Sequence, residues 1–434
     1  DIIDRDAAWD AKRSALKLVY RVPLSAGRQL AFEAFKRREG TALDDFATWC
    51  ALAEKYGGDW RRWPAELHHP SSAAVAEFAE KNRRAVDFHR WLQWQLDDQL
   101  AHAQSQALRT GMTLGIMADL AVGVHPSGAD AWSLQDVLAL GVTAGAPPDE
   151  FNQLGQDWSQ PPWRPDRLEE LGYQPFRSLI AAILRHAGGV RIDHIIGLFR
   201  LWWIPAGASP TKGTYVRYNH DAMIGIVALE AHRAGAVVVG EDLGTVEPWA
   251  RDYLRDRGLL GTSILWFEID PASRGPLPAE QWRELCLSSV TTHDLPPTPG
   301  YLAGDHVRLR AELGLLTRPV DDELADDRTA QEAWMAELRR VGLLGADATE
   351  EDVIVGLYRY LGRTRSRLLA LALSDAVGER RTQNQPGTTD EYPNWRVPLA
   401  GPDGVPIPLE SVFTDRRTAR LAELMRTVTN PGCD

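Results

Sequence analysis

Apolar and polar positions follow two regimes along the chain. Up to about residue 112 the spacing is helical, with charged stretches such as Glu77 to Arg84 and no alternation of period two. From Phe88, apolar residues at Trp91, Leu92, Leu96 and Leu100 form a helical stripe, and Gly111 supplies a stop. The regime then changes. Thr113 to Val122 is a short apolar run carrying one acid, Asp119, and it predicts an inner strand. Further strands are predicted at 189–193, 236–240, 262–268 and 287–292, most of them after an amphipathic helix. Ser178 to His186 is one such helix, ended by Gly188; Asp221 to Arg233 is another, ended by Gly235. Helix, glycine stop and apolar strand in repetition predict βα units in a parallel sheet, and no fixed-period repeat points to a solenoid.

Beyond residue 301 the pattern turns helical and highly charged, until a late apolar segment at Leu368 to Leu373. The stretch from Gly378 to Pro408 is rich in Pro, Gly and Asn and predicts a loop able to cover a site. These changes divide the chain into a helical insertion with a barrel helix (1–112), a catalytic core (113–300), a second helical insertion (301–366), and a last strand, active-site loop and C-terminal helix (367–434).

Acids recur at the ends of the apolar runs: Asp119 in IMADLAV, Asp193 in VRIDH, Glu241 in VVVGEDLG and Asp294 in VTTHD. Burying an unpaired carboxylate costs several kcal/mol, so a set of them at strand ends needs a chemical reason. In a (β/α)8 barrel the C-terminal strand ends share one face, and acids placed there converge on a pocket. An open doubly wound sheet binds at the same ends, but no GxGxxG or P-loop is present, so the expected class is α/β, a TIM barrel with helical insertions. Glycoside chemistry uses such a pair: an ionised carboxylate that attacks the anomeric carbon and a protonated acid that serves the leaving oxygen. Arg191, two residues before Asp193, points to the same strand face and would keep that acid ionised, while the apolar surroundings of Glu241 favour its protonated form. Metal binding by these acids with His125, His194 and His293 competes, but no HExxH or similar ligand spacing supports it, so neither metal nor cofactor is expected.

Composition narrows the partners. Lys and Arg number 48 against 60 Asp and Glu, a net charge of −12 with the basic residues dispersed, which argues against nucleic acid or anionic lipid. Three cysteines, Cys50, Cys286 and Cys433, form no CxxC pair, and no apolar run is long enough to span a bilayer, so a cytoplasmic enzyme acting on a neutral small molecule is expected. Trp, at 16, outnumbers both Phe and Tyr at 10 each, and its face serves cores and sugar stacking alike.

The motifs RIDHIIGLFRLWWIPAG (191–207), VVVGEDLGTV (237–246), TTHDLPP (291–297) and GAPPDEFNQLGQDWSQPPW (145–163) resemble those of the 4-α-glucanotransferases, also called amylomaltases or disproportionating enzymes. These are retaining barrel enzymes of the α-amylase clan, and the FRLWWIP form resembles their long bacterial maltodextrin-processing type. The likeness runs from about residue 110 to NQPGTTDEYPNWR at 384–396. It implies Asp193 as nucleophile, Glu241 as acid and base, and Asp294 as transition-state stabiliser, with His293 and Asp119 binding the same glucose and Arg191 positioning the nucleophile within the substrate site. It also implies a substrate wall at Asp149, Phe151, Gln156 and Trp158, and late-loop asparagines at Asn384 and Asn394. The implied partners are malto-oligosaccharide donors and acceptors, from glucose, maltose and maltotriose to longer α-glucans. An α-amylase-like hydrolase and a catalytically silent glucan-binding protein are the alternatives.

One departure accompanies the resemblance. The family's barrel opens with a strand and a tyrosine-bearing loop that find no match here, and DIIDRDAAWDAKRSALKLVY resembles the segment C-terminal to them. The first one or two strands are thus absent from this chain, and a native segment before Asp1 is expected, since a barrel lacking strands leaves sheet edges open.

Overall fold

The computed structural model describes residues 2–148, 153–244 and 246–429. The chain is α/β. Among the described residues ten strands are present: β1 (Met117–Leu120), β2 (Val142–Ala146), β3 (Gln156–Gln160), β4 (Gly189–Ile192), β5 (Arg200–Pro205), β6 (Thr214–Arg217), β7 (Val237–Gly240), β8 (Gly261–Ile264), β9 (Cys286–Ser289) and β10 (Leu368–Ala370). They form two parallel three-stranded sheets, β1-β4-β7 and β10-β9-β8, and one antiparallel sheet in the order β3-β2-β5-β6.

Two compact units divide the chain. One comprises Asp6–Pro147 and Gly155–Glu241; the other comprises Asp242–Asp434 with Asp1–Arg5 and Pro148–Leu154. The first holds the sheet β1-β4-β7, the antiparallel sheet and the N-terminal helices. Those helices, Arg5–Tyr20, Ala26–Tyr56, Ala73–Lys81 and Arg83–Arg109, account for the helical spacing read before residue 112. Trp60, Trp63 and Trp132 fill one buried cluster there, and Trp91 and Trp94 a second with Phe32, Phe35 and Phe88. The expected stripe is shorter than its spacing suggests, because Leu96 and Leu100 are exposed. In the second unit Trp282 and Trp334 pack with Tyr358 and Tyr360 against the helix Glu350–Leu361. Nearly half of the tryptophans are thus core residues.

The parallel strands fall at the predicted apolar runs, each one to six residues shorter than its run, with β8 and β9 starting one residue before theirs. The helix His220–Ala234 ends at Gly235, whose left-handed φ of 65° closes the turn without a Cβ clash. The glycine stop at Gly188 has a different cause: a Cβ there would overlap the Leu114 carbonyl, so the turn into β4 needs close backbone approach. The antiparallel sheet is the element that the βα pattern does not announce. β5 lies inside the FRLWWIP motif and β3 overlaps the end of PPDEFNQLGQDW, where aromatic and polar residues mask the alternation of period two, while β2 and β6 lie outside both motifs.

Candidate active site

Register builds the first part of the site. In the parallel pairing of β1 with β4, Asp119 stands opposite Arg191, and Asp193 is the first residue past β4. The Arg191 guanidinium donates to Asp119 Oδ1 at 2.8 Å and to Asp193 Oδ1 at 2.7 Å, so one cation bridges two strand-end carboxylates. Burial opposes the charge on Arg191, but Asp193, Asp119 and Glu241 outweigh it and raise its pKa further above the usual range. Asp193 is thereby held beside a permanent cation.

Glu241 leaves β7 one strand over. Its backbone N–H donates to Ile192 O at 2.9 Å and its carbonyl accepts from Ile195 N at 3.0 Å, which continues the ladder past the strand end. Its side-chain Oε2 accepts the N–H of His194 at 3.0 Å. That donor is one residue beyond Asp193, and covalent geometry then confines the two carboxylates to within about 9 Å of each other. The N–H is aimed by an unusual backbone: His194 sits in the left-handed region at φ 45°, ψ 54°. Such a conformation in a residue with a Cβ costs on the order of 1–3 kcal/mol and persists where its surroundings over-determine it. Burial, with the nearby charge of Arg200, lowers the His194 pKa to about 4, so the ring is neutral at pH 7.

The ring of Trp158 meets the His194 ring edge-on at 5.2 Å between centroids, and its Nε1 donates to Gln156 Oε1 at 3.3 Å. Trp158 is half-buried on β3, not a core residue. Gln156, Trp158, His194, Asp193, Arg191, Asp119 and Glu241 thus form one constellation within one unit. Asp149 and Phe151 lie outside the described residues.

The second unit carries its own group. His293 Nε2 lies 3.2 Å from Asp294 Oδ2, and Asn384 Nδ2 donates to Asp294 Oδ1 at 2.7 Å. Asp294 lies five residues past β9, in a loop rather than at the strand end itself. Asn394, the other late-loop asparagine, bonds within its own loop. Its Oδ1 accepts from Gln385 N at 2.8 Å and its Nδ2 donates to Thr388 Oγ1 at 2.9 Å.

Three buried acids hold the segments that carry these groups, and the sequence pattern singles out none of them. Asp242, directly after Glu241, accepts from Arg283 at 2.5 and 3.2 Å and from Thr262 N at 2.9 Å. Asp375 takes Thr298 N, Thr298 Oγ1 and the Tyr358 hydroxyl, tying down the end of the loop that bears His293 and Asp294. Glu379 collects the N–H groups of Arg380, Arg381 and Ala400 together with the Arg381 guanidinium, closing the loop that presents Asn384. Among the described residues no cluster of three or more His, Cys, Asp or Glu is placed to hold a metal ion. His125 Nδ1 instead accepts from Ser127 N at 3.1 Å.

A model of the 4-alpha-glucanotransferase family matches residues 1–402. The chain belongs to that family. The 4-alpha-glucanotransferase of Mycobacterium tuberculosis is 77% identical over 99% of this chain and 60% of its own length. The crystal structure of amylomaltase from Corynebacterium glutamicum superposes with a TM-score of 0.87 at 46% identity, over 98% of this chain and 60% of that one. An amylomaltase from Streptococcus agalactiae, solved in complex with acarbose, shares the fold at a TM-score of 0.80 and 18% identity, over 99% of this chain and 80% of its own. The chain thus spans about three fifths of its 77%-identical relative and of the Corynebacterium amylomaltase. Of the motif residues quoted from the sequence, Arg191 and Asp193 take part in the Arg191 bridge, and Asp294 accepts from Asn384.

Proposed function

We propose that the protein is a retaining 4-α-glucanotransferase that cuts α-1,4 bonds of maltodextrins and passes the glycan to the 4-hydroxyl of another sugar. The observation that carries this is the Arg191 bridge to Asp119 and Asp193, with Glu241 bound to the very next N–H. It keeps the two carboxylates within about 9 Å of each other, compatible with the roughly 5–9.5 Å that glycoside chemistry uses, and a permanent cation beside one of them supports the same reading.

In the first step an Asp193 oxygen attacks C1 of the donor glucose. The C1–O4 bond breaks, its electron pair stays on the departing oxygen, and that oxygen takes the proton of Glu241. In the second step the acceptor 4-hydroxyl gives its proton to Glu241 as its oxygen bonds C1 and releases the Asp193 carboxylate. Both residues end as they began. Asp294, paired with His293 and Asn384, binds sugar hydroxyls and strengthens that hold as charge builds on C1. Trp158 offers a stacking face beside His194, with Gln156 as a polar contact. Donors and acceptors are malto-oligosaccharides from glucose and maltose upward, no cofactor takes part, and the site of action is the cytoplasm. On this reading the parallel strands belong to a (β/α)8 barrel whose core is 113–300, with the segments 1–112, 301–366 and 367–434 as insertions and closing elements.

Maltotriose tests the reading. Transfer yields glucose and a ladder of longer dextrins at constant reducing-end count, whereas a hydrolase raises that count. Asp193→Ala is expected to abolish turnover while maltodextrin binding persists. Turnover that survives Asp193→Ala would sink the assignment, and a parent protein that binds maltodextrin without turning it over would be the silent binder.

A further inference from the structure

Trp395 combines features that neither a core residue nor an ordinary surface residue shares. The residue is exposed, at 47%, unlike the seven tryptophans buried in the core clusters. Its backbone is left-handed at φ 60°, a region where a bulky residue is a genuine outlier. Both of its backbone polar groups are pinned: the N–H donates to Gln383 O at 2.8 Å and the carbonyl accepts from the Arg5 guanidinium. A further backbone bond, Ile3 N to Arg396 O at 2.8 Å, fixes the next residue. Asn394 and Tyr392 tie the loop from within, through Gln385 N, Thr388 Oγ1 and Thr382 O. The fold therefore commits several hydrogen bonds to holding an apolar ring in view of solvent.

The ring does not face open water on every side. Its centroid is 5.2 Å from that of His293, tilted by 50°, and His293 pairs with Asp294, which in turn accepts from Asn384. An exposed indole beside a carboxylate, an imidazole and an amide matches the two-sided chemistry of a pyranose, whose C–H face is apolar and whose edge carries hydroxyls. An exposed, strained aromatic is otherwise unfavourable, since its solvent contact is costly and its backbone conformation is rarely populated.

We propose that Trp395 is a specificity-determining residue of the transferase site, a platform on which a glucosyl ring of the α-glucan stacks while His293, Asp294 and Asn384 take its hydroxyls. The inference rests on the reading of the protein as an α-glucan enzyme. Trp395 performs no step of the chemistry; it contributes to binding and to the choice of a sugar over water as the acceptor.

The test uses the full-length protein and three substitutions. Trp395→Gly and Trp395→Asn both remove the indole and both tolerate a left-handed backbone, so neither adds strain. Trp395→Phe keeps an aromatic face. For Gly and Asn, the KM for maltotriose is expected to rise about tenfold with kcat within about threefold of the parent, the size of one lost ring-stacking contact. The thermal midpoint should not fall, and glucose release by hydrolysis should grow relative to ladder formation. Trp395→Phe should recover most of the parent KM. Gly and Asn variants with parental KM and product ratio would overturn the platform, as would a Phe variant no better than Asn. Failure of the underlying reading is separable, because it would show as the absence of a dextrin ladder from the parent itself.

Discussion

His194 links the two principal carboxylates through a single backbone N–H, and its ring makes the link sensitive to acid. In the folded protein its pKa is about 4, against an ordinary value of 6.5, because burial and the Arg200 charge disfavour the protonated ring. Between those values the unfolded chain binds the proton and the folded one does not, so stability rises with pH through that window and falls as pH drops from 6.5 towards 4. Below about 4 both states are protonated and the loss from this group is complete. Thermal unfolding followed from about pH 7 to about pH 4 should show this decline, and His194→Asn, which tolerates the left-handed backbone and cannot titrate, should show a shallower one. An identical pH slope in both proteins would mean that the ring is protonated as readily folded as unfolded.

At the scale of elements, strand ends place the acids and buried carboxylates hold the segments beyond them. Asp242 illustrates the division of labour within a single motif: in EDLG the first acid lies at the proposed site and the second is almost fully buried against Arg283 and Thr262. Breaking such a pair leaves a poorly compensated charge and typically costs about 3–5 kcal/mol. Asp242→Asn should therefore lower the unfolding midpoint strongly, while Asp242→Asn combined with Arg283→Met should recover part of the loss. If the double variant is no more stable than the single one, the clamp is not what holds the segment after β7. Parallel strands and glycine stops were legible from sequence because burial on both faces leaves continuous apolar runs. The antiparallel sheet was not, since its strands carry Trp, Gln and Arg at positions that packing elsewhere in the sheet decides.

For the whole molecule the sign and placement of charge set the expectations. Net charge is −12, yet Asp119 and Asp193 each give an oxygen to Arg191, which supplies the positive charge that a metal ion would bring to a carboxylate pair. Ladder formation from maltotriose should therefore stay within about twofold of its starting rate after EDTA treatment and dialysis, an assay in which loss restored by a divalent cation would refute the metal-independent mechanism. Among the described residues no helix is long and apolar enough to cross a membrane.

Local sequence was enough for the α/β class, the approximate positions of the six parallel strands, the candidate acids 119, 193, 241 and 294, and the family, because each is written in residues adjacent along the chain or spaced by a helical or strand period. It took the packed chain to reveal that Arg191 serves two carboxylates at once, that the His194 N–H meets Glu241, that Asn394 secures its own loop, and that Trp395 stands exposed beside His293. Several of these partners are scores of residues apart in sequence. No local period encodes such pairings, which arise when distant segments pack and the buried polar groups must find partners.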